Sequence, residues 1–524
     1  MITRVRLRDL PSVAGNWFYV DYVTGSGTAA SFFTHAPLDF GAAFKDRREY
    51  NYPRAYVSRR LAEYNQKLGA HLAAMANIDA LEGSSAFCVI TGQQAGFLGG
   101  PAYTAYKIIT AIRLAKKLQE ELDAIFVPML WLATEDHDFG EINHAFWLKD
   151  DGEVGRVKFS WEHEGRPISD LPVTAEVRQA CDEYFQHVFP SGKRAALEEL
   201  FSPREGENFS TWNARTWSQL FSRLGLVIVE PRTLRGGATE FFTFALEQTN
   251  DVAHRLADVS QRLVVAGYKP WLTPAQSGRL FTLDPMGKRV RMDDSKENLR
   301  RVRERPELYS TDAALRPLFA DAMLPVIVSV LGPGETAYQA MLRPLYDLFD
   351  LPQPLLFPRK SYTIVAQREA ERLGRYGVAV ADVLTERLEM DAVMRGLAPP
   401  EELEMFDLAS RGLGAALSPL RSYVEGVDPT LGKSWAQTLA RSQTNLDKLA
   451  ARVSRARLSR LGLSRGEVRA LSNSLLPRGR LQERVFPLPH FLSRHGTGFL
   501  EELLSAGRLD DFSHHVLILE GRDV

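Results

Sequence analysis

The run TEDHDFGEINH sets Glu135, Asp136, His137, Asp138, Glu141 and His144 directly after an apolar stretch. Imidazole titrates near neutral pH, and a neighbouring carboxylate tunes it, so this set is suited to accepting or delivering a proton. Carboxylate and imidazole groups also bind metals, but no standard zinc-ligand spacing fits here, so no residue is assigned to a metal and the need for one stays open. A structural reading competes, in which Asp138 caps a helix and the rest is a solvated acidic turn. Asp136, His137 and Asp138 are the catalytic candidates.

Two glycine-rich loops and one basic loop could bind an anion. In CVITGQQAGFLGGPAYTAYKI the glycines Gly92, Gly96, Gly99 and Gly100 precede a helix, whose N-terminus attracts negative charge. LGPGET repeats the arrangement with Gly332 and Gly334, and PRKS offers Arg359, Lys360 and Ser361, types that suit phosphate or carboxylate oxygens. Each also has a bland reading, as a strand-to-helix turn or a solvated basic turn. Neither G-x-x-x-x-G-K-[ST] nor G-x-G-x-x-G is present, so no standard nucleotide fingerprint applies.

These groups need strands to hold them. AFCVI, AIFVPMLWLAT, LGLVIVEP, MLPVIVSVLGPGE and QPLLFPRKSYT read as strands buried on both faces. A helix follows the first, with Ala105, Ile108, Ile109, Ile112 and Ala115 on one face, which predicts a parallel βαβ unit. TAYQAMLRPLYDLF predicts one helix between the last two strands. The fold class is therefore α/β, with polar loops at the strands' carboxyl ends, where open sheets bind ligands. LKDDGEVGRVKFSW and GRLFTLDPMGKRVRMD predict hairpins inserted into that sheet, and TAEVRQACDEYFQHVF a helix. The core spans 1–365, with insertions at about 149–215 and 270–312. A helical region covers 366–470, and 471–524 packs back near the core, with HHVLILEG as a last strand. Leu439, Leu446 and Val453, with Ser442, Leu449 and Ala456, follow a heptad, predicting an antiparallel helical hairpin, a dimer seam or, equally, a packed helical bundle. His514 and His515 read as surface residues, and Cys88 as an inert apolar thiol.

The totals exclude several classes. With 524 residues the chain exceeds one ordinary core. A formal net charge of -1 gives no global attraction to nucleic acid. Two cysteines, Cys88 and Cys181, exclude a disulfide framework and a cysteine-rich zinc site. No signal-peptide or membrane-spanning run is apparent, so a cytoplasmic, enzyme-sized protein is expected.

Taken together, TGQQAGFLGGPAYTAYKI, WLATEDHDFGEINH, LRPLFADAMLPVIVSVLGPGETAY, FPRKSYT and LPRGRLQER resemble the bacillithiol biosynthesis cysteine-adding enzyme family, BshC. The resemblance implies a Rossmann-like core of the nucleotidyltransferase or class I synthetase type, a helical coiled-coil domain and a homodimer. It also implies a ligase that joins L-cysteine to the amine of glucosaminyl malate. Such a reaction needs an activated carboxyl, which makes ATP or ADP the expected nucleotide. The binding set it implies is Gln93, Gln94, Gly96, Gly99, Gly100, Tyr103, Lys107, Gly332, Gly334, Glu335, Arg359, Lys360 and Ser361. Two other readings compete: a nucleotide-binding assembly protein without turnover, and a metal-dependent hydrolase using the EDHD cluster.

Overall fold

The computed structural model describes residues 2–136, 138–161, 165–188 and 194–519. The chain divides into two compact units, one of 1–149, 154–364 and 477–524, the other of 150–153 and 365–476.

The first unit is built on five parallel strands: β1 (Ala86–Gln94), β2 (Ile125–Ala133), β3 (Val227–Val229), β4 (Val326–Leu331) and β5 (Leu355–Pro358). Their order is β5-β4-β1-β2-β3. Alternation along β1 explains the unbroken apolar run. Phe87 and Val89 pack with Ala111, Leu114 and Leu118 of α1 (Tyr103–Glu121). Cys88 and Ile90 join a separate core on the other face. Because β2 and β4 flank β1 on opposite sides, the strand order reverses there and opens a crevice at the carboxyl ends.

The inserted hairpins form as expected, His144–Leu148 with Val154–Lys158 and Leu280–Leu283 with Arg289–Arg291, and Ala175–Val188 is a helix. After α3 (Leu315–Met323) and β4, the region predicted as one helix is two, α4 (Pro333–Gln339) and Arg343–Leu348. Pro344 sits in the first turn of the second, where its missing N–H costs nothing.

QPLLFPRKSYT also divides differently from its reading as one strand and a loop. β5 stops at Pro358, and Ser361–Ala366 joins a second sheet, beside the terminal strand His514–Leu519, which pairs antiparallel with Ile2–Val5. His514 and His515, expected at the surface, are fully buried. The His514 ring lies between Ser361 Oγ at 2.7 Å and Thr363 Oγ1 at 2.8 Å, and burial pushes its pKa down to about 4.

The second unit contains α5 (Pro400–Val427) and α6 (Leu431–Arg460). They pack antiparallel: Trp435 Nε1 donates to the Leu417 carbonyl at 2.9 Å, and Arg457 pairs with Glu402 at 3.0 Å. Half-buried positions along α6 are Gly432, Trp435, Leu439, Ser442, Leu446, Ala450, Ser454 and Arg457. From Gly432 to Leu446 the half-buried positions keep the heptad spacing, and beyond Leu446 the spacing lengthens to Ala450, Ser454 and Arg457. Leu449 and Val453, placed on the seam by the heptad, are therefore 52% and 38% exposed, and Ala456 is exposed as well.

Candidate active site

A cavity of about 380 Å³ opens at the reversal of strand order. Gly92, Gln93 and Gln94 of β1 line it, with Trp131 and Ala133 of β2, Ser329 and Leu331 of β4, and the Gly332–Glu335 turn that starts α4. Tyr103 and Lys107, one turn apart on α1, form another wall, and Asp136, Glu141, Arg316, Asp321, Gln339, Arg359 and Arg484 complete the polar lining.

Lys107 is 2% exposed, and its ammonium donates to the Gly92 carbonyl at 2.8 Å and Gln93 Oε1 at 3.0 Å. It also pairs with Glu335 at 2.5 Å. Burial pulls its pKa down while Glu335 opposes that shift, so the pair holds a charge the cavity would otherwise neutralise. Glu335 also caps α4, its carboxylate accepting from the Gly332 N–H at 2.8 Å.

Arg359 and Arg484 both lie against the Tyr103 ring, with centroid distances of 5.3 and 5.9 Å. Arg359 is buried and bound to Glu483 at 2.6 Å, and Glu483 also accepts from Ser361 Oγ at 3.0 Å and the Tyr362 N–H at 3.0 Å. Arg484 has no carboxylate partner among the described residues. Burial and the nearby Arg359 charge lower its pKa. This end of the cavity therefore carries an uncompensated cation and suits an anion.

Also lining the cavity, Asp136 accepts from Gln94 Nε2 at 2.7 Å and lies 3.8 Å from Arg316. Glu141, beside it, has its pKa raised by burial and by the Asp138 and Asp136 charges. Among the described residues no three His, Cys, Asp or Glu side chains converge as a metal cluster.

The candidates separate sharply. Gln93, Gln94, Tyr103, Lys107, Asp136, Gly332, Gly334, Glu335 and Arg359 line the cavity. Gly96, Gly99 and Gly100 do not border it, contrary to expectation. A Cβ on Gly99 would meet the Trp217 ring at 2.9 Å, and one on Gly96 would meet Gly100 Cα at 2.8 Å. Those glycines let the loop fold on itself and pack on α2 (Phe209–Phe221). Lys360 is also displaced, because consecutive residues of extended chain face opposite ways. Its ammonium donates to the carbonyls of Arg508, at 2.8 Å, and Asp511. Ser361 faces Glu483 and His514 instead.

Asp138 is exposed and outside the cavity, and His137 lies outside the described residues. Glu135 pairs with Arg235 at 2.8 Å, and His144 is driven down to about 4, chiefly by burial. Trp131, Asp321, Gln339 and Arg484 were missed as site residues. Asp321 and Arg484 stand inside LRPLFADAM and LPRGRLQER, but nothing in their local spacing marks them as polar groups facing a cavity.

Comparison with known sequences bears on this geometry. The model of the BshC N-terminal Rossmann-like domain of bacillithiol biosynthesis matches residues 5–360, and that of the BshC C-terminal coiled-coil domain matches 362–519. The chain belongs to the BshC family. Proteins of Geobacillus kaustophilus and Geobacillus thermodenitrificans, both named "Putative cysteine ligase BshC", are 31% and 29% identical over 98% of this chain and 100% of their own. The BshC relative of Salinibacter ruber is 28% identical over 98% of each chain. The helical unit lies within the match to the coiled-coil domain, apart from residues 150–153, and that match also covers 477–519, which belong to the sheet unit.

Proposed function

We propose that this BshC protein is a cysteine ligase that joins the carboxyl of L-cysteine to the amine of glucosaminyl malate, completing bacillithiol. The observation that carries the reading is family membership across the whole chain together with a cavity that has a cationic end and an acidic rim. A carboxylate does not acylate an amine unaided, so the reading requires an activated cysteinyl donor, an acyl phosphate or adenylate made from ATP. Lys107, Arg359 and Arg484 suit the phosphate oxygens or the malate carboxylates, and the structure's donor set fits either anion. The amine nitrogen attacks the acyl carbon, the new C–N bond forms, and the bond from that carbon to the phosphate oxygen breaks.

The amine must shed a proton, and the Asp136–Glu141 segment supplies the base. Glu141 is the carboxylate whose raised pKa suits that role, and His137 is the alternative on the same segment. Glu141→Gln is expected to lower turnover about a hundredfold, with an unchanged melting temperature. If His137→Asn shows that loss and Glu141→Gln does not, the base is the imidazole.

The reading includes a homodimer formed through the helical unit, supported by the exposed Leu408, Leu449 and Val453 on α5 and α6. It also includes a cytoplasmic site of action; separately, among the described residues no helix is long and apolar enough to cross a membrane. Purified protein incubated with glucosaminyl malate, cysteine and ATP should form bacillithiol, detected by mass spectrometry. Absence of product under those conditions rejects the ligase reading, and light scattering that shows a monomer rejects the dimer.

A further inference from the structure

Three polar side chains in the wall of the cavity have no role in the chemistry above. Trp131, Asp321 and Gln339 are 3%, 2% and 4% exposed, and each comes from a different element: β2, α3 and α4. Trp131 Nε1 and Gln339 Oε1 are buried without a hydrogen-bond partner among the described residues. A buried polar atom left unpaired is costly, so two lining one cavity point to a ligand that satisfies them. Ile90, Ala320 and Leu331 line the same cavity, and the Tyr338 hydroxyl lies beside the Gln339 side chain.

Asp321 strengthens the case. Its carboxylate accepts a hydrogen bond from the Tyr346 hydroxyl, and its own backbone carbonyl accepts from the buried Arg47 at 2.8 Å. Asp321 lines the cavity, and its carboxylate forms no ion pair among the described residues, although the charge of Arg47 acts on it. The wall thus offers two acceptors, the Asp321 carboxylate and Gln339 Oε1, and one donor, the Trp131 indole. A primary ammonium has three N–H donors and one positive charge, which is the complement of those acceptors.

We propose that Asp321 and Gln339 bind the α-ammonium group of cysteine, and that Trp131 donates to an acceptor atom of the same molecule. The assignment rests on the cysteine-ligase reading. It divides the cavity by charge: the amino acid's ammonium sits at the Asp321 wall, and its activated carboxyl faces the cations on Lys107, Arg359 and Arg484. It also gives a physical basis for choosing an α-amino acid over a simple mercapto acid. An analogue without the ammonium would leave the buried carboxylate and amide oxygen unpaired.

The test uses the full chain with cysteine and with 3-mercaptopropionate, which keeps the thiol and carboxyl but lacks the amine. Wild-type protein should prefer cysteine in kcat/KM by about a hundredfold or more. Asp321→Asn should raise the KM for cysteine about tenfold or more, leave that for glucosaminyl malate within about twofold, and shrink the preference over 3-mercaptopropionate. Gln339→Leu, a second variant in case the first folds poorly, should act in the same direction. If wild type ligates cysteine but both folded variants keep its KM and its preference, the ammonium site is wrong and the ligase reading stands. If wild type ligates neither compound, the ligase reading fails and the assignment falls with it.

Discussion

The loops after β1 and β4 read alike in sequence, each a glycine-rich turn between a buried strand and a helix, yet they do opposite things. After β4, Gly332 and Gly334 border the cavity directly. After β1, pairing with β2 continues through Gln94 opposite Ala133, so the strand itself reaches the cavity and presents Gln93 and Gln94. Its glycines come too late in the chain and turn against Trp217. What a glycine loop does depends on where the preceding strand stops pairing, and composition does not report that.

The most disruptive test of this contrast is Gly99→Val. Its φ of +84° excludes a β-branched residue, and the Cβ would overlap Trp217. Strain and overpacking together predict a loss of at least about 3 kcal/mol in a urea melt. A stable Gly99→Val protein with impaired binding would return this loop to the ligand.

Next in size is the pH response of Asp321, on the β4 side of the cavity. Burial lifts its pKa to about 6, against the opposing pull of Arg47 and of the Tyr346 hydroxyl. The folded state therefore favours the neutral acid. Wild-type stability should fall as pH rises from about 4 through 6 and then level off, whereas Asp321→Asn lacks this dependence. Relative to wild type, the variant should gain about 2–3 kcal/mol between pH 4 and pH 8, an upper range for one fully buried group. Because the ionised form is the one that binds ammonium, the KM for cysteine should rise below pH 6 in wild type. A pH-independent difference in stability would show that the carboxyl is not held neutral by burial.

A smaller effect is expected at Gln94, the last residue of β1. Gln94→Leu removes the 2.7 Å bond that orients Asp136, and should cost roughly tenfold in kcat/KM with little change in melting temperature. Unchanged kinetics would mean that β1 contributes only a wall. The mildest change is Gly334→Ala. A Cβ there meets nothing within 4 Å and the residue is helical, so stability should rise by about 0.5–1 kcal/mol. A loss of stability would mean the α4 turn is packed more tightly than the cavity allows.

Much of the sheet was legible because strands buried on both faces announce themselves as unbroken apolar runs. AFCVI and AIFVPMLWLAT became adjacent β1 and β2 in parallel, with α1 crossing between them. The small errors have local causes. Arg359 and Lys360 are neighbours of like charge, but alternation sends one into the cavity and the other to the Arg508 and Asp511 carbonyls. Leu449 and Val453 fell on a heptad that α6 keeps only as far as Leu446. Asp321, Gln339 and Trp131 were illegible for a deeper reason. Each sits in an otherwise ordinary amphipathic or apolar segment, and only the tertiary arrangement of β2, α3 and α4 brings them to one wall.

The pairing of Ile2–Val5 with the terminal strand His514–Leu519 has a consequence in time. Gln94 is synthesised early, while Glu483 and Arg484, which complete the cationic end, follow roughly 390 residues later. At about 5–20 residues per second, the ribosome spends about 20–80 s between them. During that interval β1 and β2 exist with half a cavity, and the first strand has no partner. The cationic end therefore forms only once Glu483 and Arg484 have been made, so no early segment of the chain carries the site alone.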